Sequence, residues 1–340
     1  MKRGLLFARA LRRLLWALAV VFGVTLFAFV TAELLPGDPA RLLLGPQASA
    51  ADVARAREVY GLDLPLPEKL ARYYARLVHL GPPGSAGDPK SPEHRSCGAL
   101  VGPIHVDLGH SFHYRRPVVD LIAARLPRTL ELALAALWVQ LTLGVGAGLL
   151  AAWKRGTVWD DLAVGTTLLG VSAPAFLLGL VLQYVLAYKL GWLPLDGYGT
   201  SSAEHLRSLV LPALTLGVFG SALHARLVRE EVTTQLGEAH ARAARARGAS
   251  RPRVLVVHAL RNALVPVATV AALELGAMAS GAVVTERLFR WPGLGQLAVE
   301  GLQNRDAAVI FGAALVASLA VVLSTLLADL VYLVLDPRLR

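Results

Sequence analysis

The sequence predicts an all-α, polytopic membrane protein with six transmembrane helices and a long extracytoplasmic loop between the first and second. Three observations lead there. The 340 residues are 55% hydrophobic and only 17% charged, whereas soluble domains carry about 25% charged residues. Apolar runs of some eighteen residues or more recur, each enough to cross a bilayer as a helix. The basic residues that make the net charge +10 sit beside these runs. They do not form a soluble patch with interleaved aromatics, so membrane lipid and not nucleic acid is the expected surroundings. The single Cys97 excludes an internal disulfide.

Residues 1–35 form an N-terminal tail and the first span: Lys2, Arg3, Arg9, Arg12 and Arg13 precede an almost wholly apolar run over 14–32. A cleaved signal peptide is the alternative, but its apolar region is usually shorter and ends at a small-residue cleavage site. Residues 36–128 form the long polar loop, read either as an outer cap or as a disordered linker. Within it, 51–60 and 67–80 have helical periodicity, and 81–103, rich in Gly, Pro and Ser, reads as a flexible insertion.

Residues 129–340 are the core, with five further spans near 130–153, 162–190, 209–228, 265–284 and 307–334. The third span is broken at Ser172-Ala173-Pro174-Ala175. A proline removes a backbone hydrogen bond, tolerated at membrane depth where neighbours or water satisfy the freed group. Pro174 therefore reads equally as a bend beside a translocation path and as a structural kink. The fifth span is rich in small residues, Gly276, Ala277, Ala279, Ser280, Gly281 and Ala282, which lets helices approach closely. Lys154, Arg155, the basic loop 229–263, Arg338 and Arg340 all fall on the side of the N-terminus, which the positive-inside rule makes cytoplasmic.

That loop carries helix punctuation. Residues 239–247 are Ala- and Arg-rich and favour a helix. Gly248 stands where a left-handed C-terminal cap falls, Ser250 offers an N-cap, and Pro252 suits the first turn of a second helix. A basic inter-helix loop placed by topology alone is the plain alternative.

The ordered set His240-Ala241-Arg242-Ala243-Ala244-Arg245-Ala246-Arg247-Gly248 and His258-Ala259-Leu260-Arg261-Asn262-Ala263-Leu264-Val265-Pro266 resembles the coupling region of ABC-transporter permeases, in the dipeptide/oligopeptide branch. Arg242 stands where other permeases carry the eponymous Glu, and Arg261 where they carry Pro; both departures point to the peptide branch. His240 and Ala243 depart from that branch's usual Tyr and Thr. Further resemblances run along the chain: Leu35-Pro36-Gly37-Asp38-Pro39, Asp107-Leu108-Gly109-His110-Ser111-Phe112, Gly191-Trp192-Leu193-Pro194, Gly197-Tyr198-Gly199, the stretch from Glu286 to Gln296 with Trp291-Pro292-Gly293-Leu294-Gly295, and Asp336-Pro337-Arg338.

The resemblance implies the type I ABC importer permease fold and a B-type permease subunit, multi-pass in the bacterial inner membrane with both termini cytoplasmic. It implies a second homologous permease, two ATP-binding subunits and an extracytoplasmic substrate-binding protein as partners. It implies coupling to the ATPase through Glu238, Arg242, Ala243, Ala244, Arg245, Arg247, Gly248, Arg251, His258 and Arg261, with Gly248 and Ala244 at the tightest contact. Related permeases import nickel or oligosaccharides, and the spans do not separate these from peptides.

The chain lacks the Gly-x-x-x-x-Gly-Lys-Ser/Thr loop that cradles nucleotide phosphates, so ATP and Mg are expected on partner subunits and no cofactor here. No nucleophile-elbow or zinc-protease motif is present, so a transport subunit and not an enzyme is expected. A secondary transporter, the rival of another class, is expected to show internal repeats and paired mid-membrane polar residues, and neither is legible. Glu274 reads as the one ionisable residue at mid-span; such residues are costly in lipid and default to function. A substrate-path role, a paired structural role and an ion relay are all open for it; Glu286 is a further path candidate. In the outer loop His94-x-x-Cys97 and His110-x-x-His113 have zinc-ligand spacings, against the default of scattered loop histidines.

Overall fold

A computed structural model describes residues 2–34, 39–45, 47–60, 63–81, 96–101, 104–158, 160–162, 165 and 174–335. Residues 35–38, His94, Ser172, Ala173 and the 336–340 ending lie outside the described residues. Contacts divide the chain into two units, Met1–Pro127 with Gly293–Leu319 and Arg128–Pro292 with Ala320–Arg340.

The first unit opens with α1 (Lys2–Leu34), whose 11–31 stretch is long and apolar enough to cross a membrane. Three short helices follow, α2 (Pro39–Leu44), α3 (Ala50–Tyr60) and α4 (Leu66–Leu77). The helical periodicity read over 67–80 stops at Leu77, because β3 offers the next residues a ladder. Strands β1 (Val78–Leu80), β2 (Cys97–Val101) and β3 (Ile104–Asp107) form an antiparallel sheet in the order β1-β3-β2. His79 lies opposite His105, and Cys97 opposite Asp107. This small sheet sits in an otherwise helical chain, and β2 takes up residues read as a flexible insertion.

The Asp107–Phe112 motif is a structural clasp within this unit. Asp107 Oδ1 accepts the Gly109 N–H at 2.8 Å, and Ser111 Oγ donates to the buried Asp306 Oδ2 at 2.6 Å. Asp306 precedes α12 (Ala307–Leu335), and Glu300 on α11 (Leu294–Gln303) accepts from the Tyr114 hydroxyl. The core beneath is Leu108, Val118, Leu121, Ile122, Leu294, Leu297, Val309 and Ala313.

The second unit holds most of α5 (Val118–Trp153), then α6 (Ala175–Lys189), α7 (Ser202–Gly237), α8 (Ala239–Ala246), α9 (Arg251–Ala279), α10 (Val283–Leu288) and the rest of α12. Counting α1, five helices among the described residues are long and apolar enough to span a bilayer; the described part of the expected third span, α6, is shorter. Ser201 and Glu204 start α7 with a reciprocal capping box. Residues 183–189 of α6 and 254–260 of α9 form wide i→i+5 turns, a helix variant frequent at functional sites.

α5 and α7 touch backbone to backbone through glycines. A Cβ on Gly148 would come 2.5 Å from the Ala225 carbonyl oxygen, and one on Gly217 would come 2.6 Å from Val139. Bilayer helices gain their contact energy from such close approach, since burial against lipid-like side chains supplies little. Exposed Trp138, Leu143, Leu323 and Leu330 line the outward faces of the spans.

Candidate functional site

The elbow between α7 and α9 follows from local rules. Glu238 is extended, at φ −73° and ψ 160°, and breaks α7 from α8 with no side-chain cap. Three residues apart on α8, Ala241 and Ala244 form a buried stripe, 0% and 1% exposed, against Val254, Leu236 and Ala249. The rest of α8 is open, so His240, Arg242, Ala243, Arg245 and Arg247 face outward.

Gly248 takes φ +81°. Its N–H reaches Arg245 O at 2.9 Å and the Ala249 N–H reaches Ala244 O at 3.1 Å, the pair of bonds of a Schellman cap. The left-handed cap read from the sequence is therefore present. Ser250 occupies the N-cap position of α9 and Pro252 its first turn, but the serine side chain makes no capping bond. Asn262 Nδ2 donates to His240 Nε2 at 3.3 Å, joining two motifs 22 residues apart.

The named elbow residues have different places. Ala244 is enclosed by its own chain, and a Cβ on Gly248 would meet nothing within 4 Å. Within this chain neither lies at a tight outward contact; the glycine is required by backbone conformation. Arg245 folds back to Leu236 O and Ala241 O, where carbonyls at a helix end favour a cation. Arg242, Arg247, Arg251 and Arg261 are exposed and make no ion pair among the described residues. His258 is half-buried within the wide turn.

The base of the elbow carries a lock that sequence reading missed. Arg229 on α7 binds Asp160, a helical residue a few positions beyond the end of α5, through two bonds, 2.5 and 2.8 Å. Asp160 is buried, and the Arg229 guanidinium, with the Gly156 N–H, holds its carboxyl down at about 2.

Deeper in the second unit a polar cluster surrounds Glu274 on α9. Gln140 on α5 and His224 on α7 are fully buried. Gln140 Nε2 donates to Glu274 Oε2 and lies 3.0 Å from His224 Nδ1; His224 Nδ1 is 3.6 Å from Glu274 Oε2. Glycines make the room: a Cβ on Gly220 would fall 2.4 Å from the Gln140 amide carbon, and one on Gly144 would fall 2.6 Å from the His224 Cβ. Gln140 Oε1 and His224 Nε2 are buried with no partner among the described residues. Glu274 is thus not alone at depth; the signal available was polar side chains inside otherwise apolar runs.

Of the other path candidates, Glu286 on α10 is fully buried and accepts from Thr129 Oγ1 at 2.8 Å. Nearby Trp291 is also fully buried and donates its indole N–H to Arg128 O at 2.9 Å. Pro174 stands exposed at the start of α6. In the first unit, Cys97 does not join His110 or His113. His113 is exposed with its ring against Tyr114, and His110 forms a bridge with Pro117. Cys97 instead lies with His79 and His105, which sequence spacing did not indicate.

Long apolar helices closed on small-residue contacts, with a buried polar cluster and an arginine-bearing elbow, fit a multi-pass membrane protein. The chain belongs to the inner membrane components of binding-protein-dependent transport systems: that family's sequence model matches residues 144–340, and the model of its N-terminal region matches 6–133. This family is the membrane permease of bacterial ABC importers, not itself an enzyme. The glutathione transport system permease protein GsiC of Escherichia coli K12 is 36% identical over 330 residues, 97% of this chain and 98% of that protein. The protein of the same name from Shigella boydii serotype 4 is 35% identical over the same length. Among solved structures, an inward-facing MetNI methionine ABC transporter chain superimposes with a TM-score of 0.55 at 17% identity, covering 65% of this chain and 98% of that one. The chain has the type I importer permease fold.

Proposed function

We propose that this chain is the permease subunit of an ATP-driven importer of di- and oligopeptides, working with a second homologous permease, two ATP-binding subunits and an external binding protein. The observation that carries the proposal is the two-faced α8. Its Ala241/Ala244 stripe seats it on its own chain, and Arg242, Ala243 and Arg247 are left outward for an ATPase groove. The Schellman cap and the Asp160–Arg229 lock make the elbow a rigid lever, so movement of the ATPase pair passes to α7 and α9 as a two-state displacement. Glu274, Gln140 and His224 lie along the path, where the two partnerless buried atoms suit water or a polar solute. Both termini are cytoplasmic, and the chain crosses the membrane six times. Peptide as solute is supported by the relatives named for glutathione, itself a tripeptide.

The test is reconstitution of the permease pair with its ATPase subunits and binding protein in liposomes. ATP-dependent uptake of labelled dipeptide or glutathione is expected, with cross-linking from Ala243→Cys to an ATPase subunit. Uptake of nickel or oligosaccharide alone would overturn the solute. Uptake without nucleotide, or no cross-link from α8, would overturn the coupling.

A further inference from the structure

We propose that the three-stranded sheet of the first unit is a binding site for a zinc-class divalent cation, with His79, Cys97 and His105 as its ligands. The register puts all three on one face. His79 and His105 are directly opposed across β1 and β3, and Cys97, opposite Asp107, is the diagonal neighbour of His105. Their ligand atoms lie within 4.8 Å of one another, and Cys97 Sγ is 3.2 Å from His79 Nε2. Zinc–sulfur and zinc–nitrogen bond lengths put ligand atoms about 3.5 Å apart around a tetrahedral ion. The sulfur–nitrogen edge is already near that separation, and small side-chain rotations draw in the rest.

An independent feature points to a ligand as well. His79 Nδ1 lies 3.0 Å from the Arg76 carbonyl oxygen, which only accepts, so Nδ1 carries the proton. Nε2 then accepts from the Cys97 S–H, and its lone pair is the one an ion takes when that proton leaves. A ring nitrogen fixed by a carbonyl while the other faces the metal is the usual arrangement of metal-binding histidines. Cys97 and His105 are buried, while His79 is half-exposed on the edge strand β1, so an ion enters past His79 and keeps a water as fourth ligand. A thiolate with two imidazoles suits zinc or copper and not calcium or magnesium. On binding, the Cys97 S–H proton leaves to solvent and the sulfur–metal bond replaces it.

The experiment uses the full chain in detergent, without a histidine tag and stripped with chelator. Titration with Zn²⁺ is expected to show one equivalent bound and a rise in thermal midpoint. Co²⁺ is expected to give a sulfur-to-metal charge-transfer band that Cys97→Ser abolishes. His79→Gln, at the exposed rim, is expected to bind Zn²⁺ about tenfold or more weaker, and His113→Ala to bind as the unaltered chain does. X-ray absorption of the Co²⁺-loaded unaltered chain reads the sulfur ligand directly, should Cys97→Ser fail to fold. Co²⁺ bound with no sulfur in its shell, Zn²⁺ affinity unchanged by His79→Gln, or loss on His113→Ala would each overturn the site.

Discussion

Replacing Gly276 by Ala tests the close approach of α9 and α12 within the second unit. A Cβ at position 276 would lie 1.9 Å from Ser324 Oγ, 2.1 Å from Ser324 Cβ and 3.1 Å from the Ala320 carbonyl oxygen. Rotating the serine removes the first clash only, because its Cβ moves with the α12 backbone. Carbon atoms rest about 3.5–4.0 Å apart, so the helices must part by about 1.5 Å. Overpacking of this kind costs roughly 1–3 kcal/mol. The expected result is a thermal midpoint several degrees lower in detergent. Ser324→Gly in the same chain should return much of that loss. Among the described residues Ser324 Oγ bonds to Val321 O in its own turn alone, so its removal strands no partner there, and glycine in a helix costs roughly 0.5–1 kcal/mol by itself. A double-mutant cycle then gives a favourable coupling of about 0.5–3 kcal/mol. If Gly276→Ala is as stable as the unaltered chain, or if Ser324→Gly merely adds its own loss, the close approach of these helices is wrong.

Gly248→Val should weaken coupling of transport to ATP hydrolysis while Gly248→Asn is tolerated, because φ +81° in open space is a backbone demand that costs most residues about 1–2 kcal/mol; equal activity of the two variants would count against it. Asp160→Asn should lower the thermal midpoint at neutral pH by the equivalent of roughly 1–3 kcal/mol. The Asp160 carboxyl is held at about 2, below its ordinary 3.8, so its stabilisation is present above about pH 5 and fades as pH falls toward 2. The gap between variant and unaltered chain should therefore close in acid, and a gap independent of pH would refute the lock. Glu274→Gln should reduce uptake of cationic peptides relative to acidic ones by about tenfold, equivalent to roughly 1.4 kcal/mol; unchanged selectivity would remove Glu274 from the path.

The spans were legible because a bilayer demands continuous apolar length, and 118–153, 202–237 and 307–335 satisfy it by composition alone. The elbow was legible for a related reason: its helix, glycine cap and proline start are governed by neighbours within one or two turns. Which face of α8 is outward was not, since alanines alternate with arginines all round it, and only packing against Val254 shows that Ala241 and Ala244 turn inward. The β1 strand was hidden because Val78-His79-Leu80 has no local preference strong enough to end a helix; its pairing partner lies some 25 residues on.

The order of apolar runs, the side on which arginines gather and the turn chemistry near Gly248 are settled by nearest neighbours, and on those the chain's own letters determine a membrane permease with a basic elbow. Only tertiary structure decided that Gln140 and His224 meet Glu274, that Asp160 holds Arg229, and that Cys97 joins His79 and His105. Each of these pairings crosses between helices or strands far apart in the chain. Such contacts depend on where glycines let backbones close and on strand register, and no local pattern encodes either.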